Sequence, residues 1–182
     1  MSGIHLLPIG PVDEDPLIAI GSGIRCTFGV AVHRLQHIEV PDYAFDSVRN
    51  QYSSELILRR IAQRSSDGAV RILAVTDVDL FIPMLTFVYG QAQLNGKTSL
   101  ISTARMRQEF YGLPPSRALM LRRVVKESLH ELGHTFGLTH CLVPSCPMVV
   151  ATVISQLDAK GETLCSDCSF LLKRALSRLS QT

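Results

Sequence analysis

Residues 130 to 140 read His130-Glu131-Leu132-Gly133-His134-Thr135-Phe136-Gly137-Leu138-Thr139-His140, the pattern H-E-x-x-H-x-x-G-x-x-H. Three imidazoles and a carboxylate at this spacing are what a hydrolytic zinc centre requires. Positions i and i+4 of a helix lie on one face about 6 Å apart, so His130 and His134 can offer ring nitrogens to a single ion. A continued helix would carry position 140 along the axis and round to another face. Gly137 is the remedy: glycine tolerates the left-handed conformation that ends helices, so the chain can turn back and bring in His140 as third ligand. Three protein ligands leave the fourth tetrahedral position open for water, which distinguishes a catalytic zinc from a structural one. Glu131 is the expected general base. Zinc lowers the pKa of its bound water to about 7, and a neighbouring carboxylate can take the proton and later hand it to a leaving amine.

At ordinary residue frequencies the five fixed positions coincide by chance in on the order of one chain per hundred thousand of this length. H-E-x-x-H alone recurs in roughly one such chain in a few hundred, so Gly137 and His140 carry the specificity. The pattern leaves open a degenerate site that binds metal without turnover.

The cysteines are Cys26, Cys141, Cys146, Cys165 and Cys168, the last four spaced C-x4-C, 18 residues, C-x2-C. Two close pairs separated by a loop are the spacing of a structural four-thiolate zinc site. A disulfide framework is the alternative, but Cys165 and Cys168 are close for an ordinary crosslink and nothing suggests secretion. A redox C-x-x-C usually opens a helix after a strand in a thioredoxin-like unit, which is not evident here. Cys141 directly follows His140, so neighbouring residues would serve different ions. A clamp of four thiolates would stiffen the backbone that presents His140, and losing it should weaken the catalytic metal too. Cys26 lies in an apolar stretch and is expected to be a buried free thiol.

Met148 follows in Cys146-Pro147-Met148, where a methionine suggests the turn that underlies zinc in metzincins, although a methionine in an apolar run is ordinarily core. With these residues in place the sequence resembles the archaemetzincins. That family combines H-E-x-x-H-x-x-G-x-x-H-C-x4-C-x-M with a downstream C-x2-C, and every fixed position is present between 130 and 168. The opening Ile4-His5-Leu6-Leu7-Pro8-Ile9-Gly10 and the Asn50-Gln51-Tyr52 region are similar in a looser way. The resemblance implies a zinc metallopeptidase with two zinc ions per chain, one catalytic and one structural, and in some members an aminopeptidase activity. No tyrosine follows His140, so the tyrosine that assists the oxyanion in some metzincins has no downstream counterpart.

The elements that must position these residues follow from periodicity. Ile4 to Ile9 reads as a buried strand stopped by Gly10-Pro11, and Asp13 to Thr27 as a helix weakened at Gly21-Ser22-Gly23. Val30 to Ile38 reads as a strand. Asp46 is expected to cap an amphipathic helix through Arg64, ended by Ser65-Ser66-Asp67-Gly68. Val70 to Val75 reads as a central strand, followed by Asp77 and Asp79 in a polar loop. Phe87 to Leu94 and Thr98 to Ser102 form a hairpin across Asn95-Gly96. Pro114-Pro115 precedes the active-site helix, in which Val124, Val125, Ser128, Leu129 and Leu132 pack on one side. Cys168 to Leu179 closes the chain as a helix with Phe170, Leu171, Leu172, Ala175, Leu176 and Leu179 facing inward. The order βαβα, then strands, then the active-site helix predicts an α/β fold. Its sheet should be mixed, mainly parallel and twisted, with an antiparallel edge hairpin and a zinc-stapled C-terminal part.

At 182 residues, 46% hydrophobic and 19% charged, residues 1–182 read as one domain with a real core. A net charge of +2 argues against general attraction to nucleic acid or membrane. The basic pairs Arg59-Arg60 and Arg122-Arg123 read as solvated helix faces. No signal peptide or membrane span is evident, and cysteines committed to metal suit a reducing cytoplasm. A monomer acting on a peptide or protein substrate is expected, the peptide lying along the hairpin edge by strand addition. An aminopeptidase would need a group for the free amine, for which Glu109, Asp77 and Asp79 are candidates. Two other classes remain: a peptide-binding or interaction module of the same fold without turnover, and a zinc-ribbon-like interaction protein. Against the latter, residues 141 to 168 lack the basic and aromatic surface that nucleic-acid binding wants.

Overall fold

The computed structural model describes residues 3–63 and 69–179. The elements run β1 (Gly3–Ile9), α1 (Glu14–Phe28), β2 (Val32–Arg34), β3 (Phe45–Asp46), β4 (Gln51–Ser53), α2 (Ser54–Gln63), β5 (Ala69–Thr76) and β6 (Leu80–Phe81). They continue with β7 (Gly90–Ala92), β8 (Thr98–Ser102), α3 (Arg117–Thr135), α4 (Ile154–Ala159) and α5 (Ser166–Leu179).

The main sheet has the order β2-β1-β5-β8-β7. Neighbours are parallel except β7, which pairs antiparallel with β8. The β1 and β5 sequences are aliphatic at odd and even positions alike because both faces of the sheet are covered. Ile4, Leu6, Leu73, Val75 and Ile101 face one cluster with α1 and α3 side chains such as Ile20, Val124 and Leu129. Leu7, Ile9, Ile72, Ala74 and Leu100 face the other, against Ile57, Leu58 and Ile61 of α2. The α/β expectation holds, and the result is three layers: α1 and α3, the sheet, and α2. The edge hairpin is present, tightened at Asn95, whose φ is +55°, although its first strand is confined to Gly90–Ala92.

Several expectations are corrected. Residues 46–53 are not helical. The Asp46 carboxylate accepts from the amides of Val48 and Arg49 (2.9 and 3.0 Å), and Asn50 turns left-handed at φ +53°. The chain then enters β4, which joins β3 and β6 in a small second sheet. Helix α2 starts only at Ser54. Arg64 and the Ser65-Ser66-Asp67-Gly68 stop lie outside the described residues. The strand expected from Val30 to Ile38 shortens to Val32–Arg34, while Leu35 and Ile38 still donate to the Leu6 and Pro8 carbonyls. The helix expected from Asp13 to Thr27 is present as α1, continuous through Gly21-Ser22-Gly23. Cys26 is exposed, not buried: it lies two residues from Ile24, on the far side of a helix whose inner stripe is Leu17, Ile20 and Ile24. In α5 only Cys168 and Leu172 are buried, and Phe170, Leu171 and Leu179 face out.

Candidate active site

Helix α3 is the platform. Ser116 caps it through a side-chain oxygen that accepts from the Leu119 amide. Its far end closes with the Gly137 amide on the His134 carbonyl (2.9 Å) and the Leu138 amide on the Gly133 carbonyl (3.0 Å). That double bond pattern is the Schellman closure, and it needs a left-handed residue where Gly137 stands at φ +88°. A side chain at Gly137 would also sit 2.2 Å from the Asn95 amide oxygen. The hairpin turn docks there, with the Asn95 amide donating to the His134 carbonyl (3.0 Å).

The bend brings the three imidazoles together. Their donor nitrogens lie within 4.8 Å of one another. The ring centroids of His130, His134 and His140 are 4.6, 5.4 and 5.1 Å apart. His130 Nδ1 meets the Pro147 carbonyl at 2.9 Å and His134 Nδ1 the Leu138 carbonyl at 2.8 Å. A carbonyl only accepts, so both Nδ1 atoms carry the proton and both Nε2 atoms present bare lone pairs. Those two Nε2 atoms are 3.1 Å apart, a repulsive arrangement that a cation between them makes favourable. Two zinc–nitrogen bonds of ~2.05 Å at the tetrahedral angle would put them about 3.3 Å apart, so this donor set fits zinc. Burial is the main force holding His130 and His134 below the usual imidazole range, which keeps them neutral, as metal binding requires.

The four downstream cysteines also converge, with their sulfurs within 4.8 Å of one another and all as free thiols. Cys146 and Cys168 are buried, and desolvation raises both thiols. The Cys141 amide donates to the Met148 carbonyl (3.0 Å), and Met148 itself is fully buried in the cluster with Leu129 and Leu132. The segment after His140 is therefore pinned beneath α3.

The triad opens into a cleft of about 400 Å³ whose lining includes Gly90, Gln91 and Ala92 of β7, together with Glu131. Strand β7 lies so close that a side chain at Gly90 would come within 2.7 Å of Glu131 Cγ. Glu131 is 5% exposed. Burial first, and the carboxyl of Glu127 second, push its pKa well above the ordinary carboxylate range. Glu127 is itself raised by burial, with Lys160 opposing the shift and then Glu131. Lys160 Nζ lies 4.0 Å from Glu127 Oε2, and burial lowers its own pKa.

Sequence reasoning missed Glu127 and Lys160. Glu127 carried a usable signal, being four residues before Glu131 on the same helix face. Lys160 carried none, because helix α4, which delivers it, has no strong periodicity. Helix α4 is held to α3 by Arg123, whose guanidinium makes two 2.7 Å bonds to Asp158. Arg123 is thus buried, which corrects its reading as a solvated face. The proposed amine-holding acids are elsewhere. Asp79 is engaged by Arg105 (2.6 and 2.7 Å) and Asp77 by Arg107 and Thr103, and none of Asp77, Asp79 and Glu109 lines the cleft. Among the described residues no helix is long and apolar enough to cross a membrane.

Comparison with known proteins gives the chain's relatives. Residues 30–174 match the pattern of peptidase family M54. An archaemetzincin from Methanocaldococcus jannaschii is 38% identical over 165 residues, covering 91% of this chain and 89% of that one. The crystal structure of a zinc-dependent peptidase from Methanocorpusculum labreanum superposes with a TM-score of 0.85 at 29% identity, covering 93% of this chain and all of that one. The archaemetzincin of Methanopyrus kandleri gives 0.83 at 32% identity and 97% coverage of both chains. With pattern, sequence and fold matching over most of its length, the chain belongs to peptidase family M54, the archaemetzincins, and is a zinc metallopeptidase.

Proposed function

We propose that His130, His134 and His140 hold the catalytic zinc, that Cys141, Cys146, Cys165 and Cys168 hold a second, structural zinc, and that Glu131 is the general base of peptide-bond hydrolysis. Zinc, when bound, supplies Lewis-acid chemistry: it polarises a peptide carbonyl and acidifies water. The chain's own residues do the rest. Glu131 accepts the proton of the attacking water and returns it to the departing amine. Burial, then Glu127, push its pKa above the ordinary carboxylate range, the direction that makes a carboxylate more willing to take a proton. Glu127, four residues earlier on the same helix face, sets a second carboxyl beside it and favours its protonated form. The carbonyls of Pro147 and Leu138 fix the orientation of the first two imidazoles.

The substrate backbone is expected along β7. Tyr89 and Gln93 bond across to β8, so by the two-residue alternation of an antiparallel ladder the amide and carbonyl groups of Gly90 and Ala92 point away from it. These outward groups can pair with an extended peptide, whose bound carbonyls then pass the triad. The same cleft restricts an aminopeptidase reading to Glu127, because the acids that line it are Glu127 and Glu131.

The observation that carries this reading is the Glu131 carboxyl, buried between the imidazole helix and the free edge of the sheet. A peptide-library digest read by mass spectrometry tests it, comparing wild type with Glu131→Gln. Zinc content should be unchanged while cleavage falls about 10²- to 10⁴-fold. Undiminished cleavage would remove Glu131 as base, and no cleavage by the wild type would favour a binding module. Including N-acetylated peptides decides between an aminopeptidase and an endopeptidase.

A further inference from the structure

Lys160 is 3% exposed, and among the described residues its ammonium is a buried cation without a hydrogen-bond acceptor. Glu127, at 4.0 Å, supplies charge but lies outside bonding reach. The contrast with Lys126 is direct: that lysine is equally buried, yet donates to the Leu157 and Asp158 carbonyls (3.3 and 2.7 Å). A buried donor left unmet costs on the order of 1–3 kcal/mol, more when it is charged. The backbone of Lys160 is held on both sides. The preceding helix is clamped by Arg123 on Asp158, and the next amide, Gly161, donates to the Ser145 carbonyl at 2.8 Å. The segment between the two cysteine pairs thus holds an unsatisfied cation in the wall of the cleft, beside Glu127, His130 and Glu131.

We infer that Lys160 is a specificity residue, whose ammonium binds a carboxylate of the peptide substrate in a subsite beside Glu131. This rests on the peptidase reading above. A substrate carbonyl would satisfy the N–H bonds alone, whereas a carboxylate also supplies charge, and charge-assisted bonds are roughly twice as strong. A dianion such as phosphate would face Glu127 and Glu131 as well, so a monoanion suits the space. The carboxylate has two possible sources, an Asp or Glu side chain or the peptide's terminal α-carboxylate.

Equilibrium binding to zinc-loaded Glu131→Gln protein, followed by fluorescence anisotropy, separates recognition from turnover. The probes are one peptide sequence with Glu or Gln at each position in turn, each with a free or amidated C-terminus. At least tenfold tighter binding is expected either for Glu over Gln at one position, which identifies a side-chain subsite, or for the free C-terminus, which identifies the α-carboxylate. Lys160→Met in that background should erase the preference. Removing the lysine alone leaves the Glu127 carboxyl buried without its cation, so Glu127→Gln/Lys160→Met is measured beside it, with thermal melting to confirm folding. All peptides binding within twofold, or a preference that survives in whichever lysine variant folds, would overturn the inference. Cleavage by the wild type is scored separately: its absence would sink the hydrolytic reading and leave the carboxylate preference standing.

Discussion

The three imidazoles are held unequally. His130 is buried with its Nδ1 on Pro147, and His134 is tied to Leu138 within the helix closure. His140 is exposed, on the loop beyond the bend. Surface substitutions away from packed features change stability by about 0.5 kcal/mol or less. His140→Ala is therefore expected to leave the melting temperature of metal-free protein nearly unchanged while lowering bound zinc by one ion per chain, read by elemental analysis. Retention of all the zinc would exclude His140 as a ligand. The convergence of the three histidines and of the four cysteines was legible in the sequence because each set is local: i,i+4 on one helix, a bend three residues later, two short cysteine spacings. Lys160 was not legible, since its place in the cleft depends on how the short helix Ile154–Ala159, well downstream of the motif, packs against α3. Cys26 shows the same limit from the other side, an apolar neighbourhood in sequence concealing an outward-facing position.

Among the elements, the end of α3 decides whether the third imidazole arrives. A non-glycine residue held in the left-handed region costs of order 1–3 kcal/mol, and at Gly137 a methyl group would also meet Asn95. Gly137→Ala should lower the melting temperature and weaken the triad's zinc, measured by competition with a chelator, while the cysteine-bound ion is unaffected. Normal affinity for both ions would mean that the bend does not position His140. Helices α1 and α3 and strands β1, β5 and β8 were readable from the sequence because each buries a continuous apolar face. Residues 46–53 were misread for a specific reason: a capping aspartate and an Asx turn begin with the same side-chain bonds to the second and third amides ahead. What separates them is Asn50, whose left-handed φ of +53° turns the chain into β4. The inward face of α5 was overestimated because a helix on the surface needs only the stripe of Cys168 and Leu172.

For the whole molecule, the proposal makes the cysteine cluster a fastener once it holds its ion. Its sulfurs bring the start of α5 beside the loop that follows His140, and between those points the chain contributes Val150, Ala151, Thr152 and Lys160 to the cleft. Cys165→Ser should therefore act at a distance. Loss of a structural ion that folds with the protein predicts a fall in melting temperature of at least about 5 °C, by differential scanning calorimetry. Loosening the backbone beside His140 predicts a weakening of the triad's zinc by about tenfold. An unchanged melting curve would deny the cluster a structural role. The central claim is that seven side chains divide into two chemically distinct zinc centres. X-ray absorption at the zinc edge on metal-quantified protein tests it most directly. Two ions per chain are expected, giving equal contributions from a nitrogen/oxygen shell at about 2.0–2.1 Å and a sulfur shell at about 2.3 Å. A single ion, or a spectrum of sulfur alone, would contradict it.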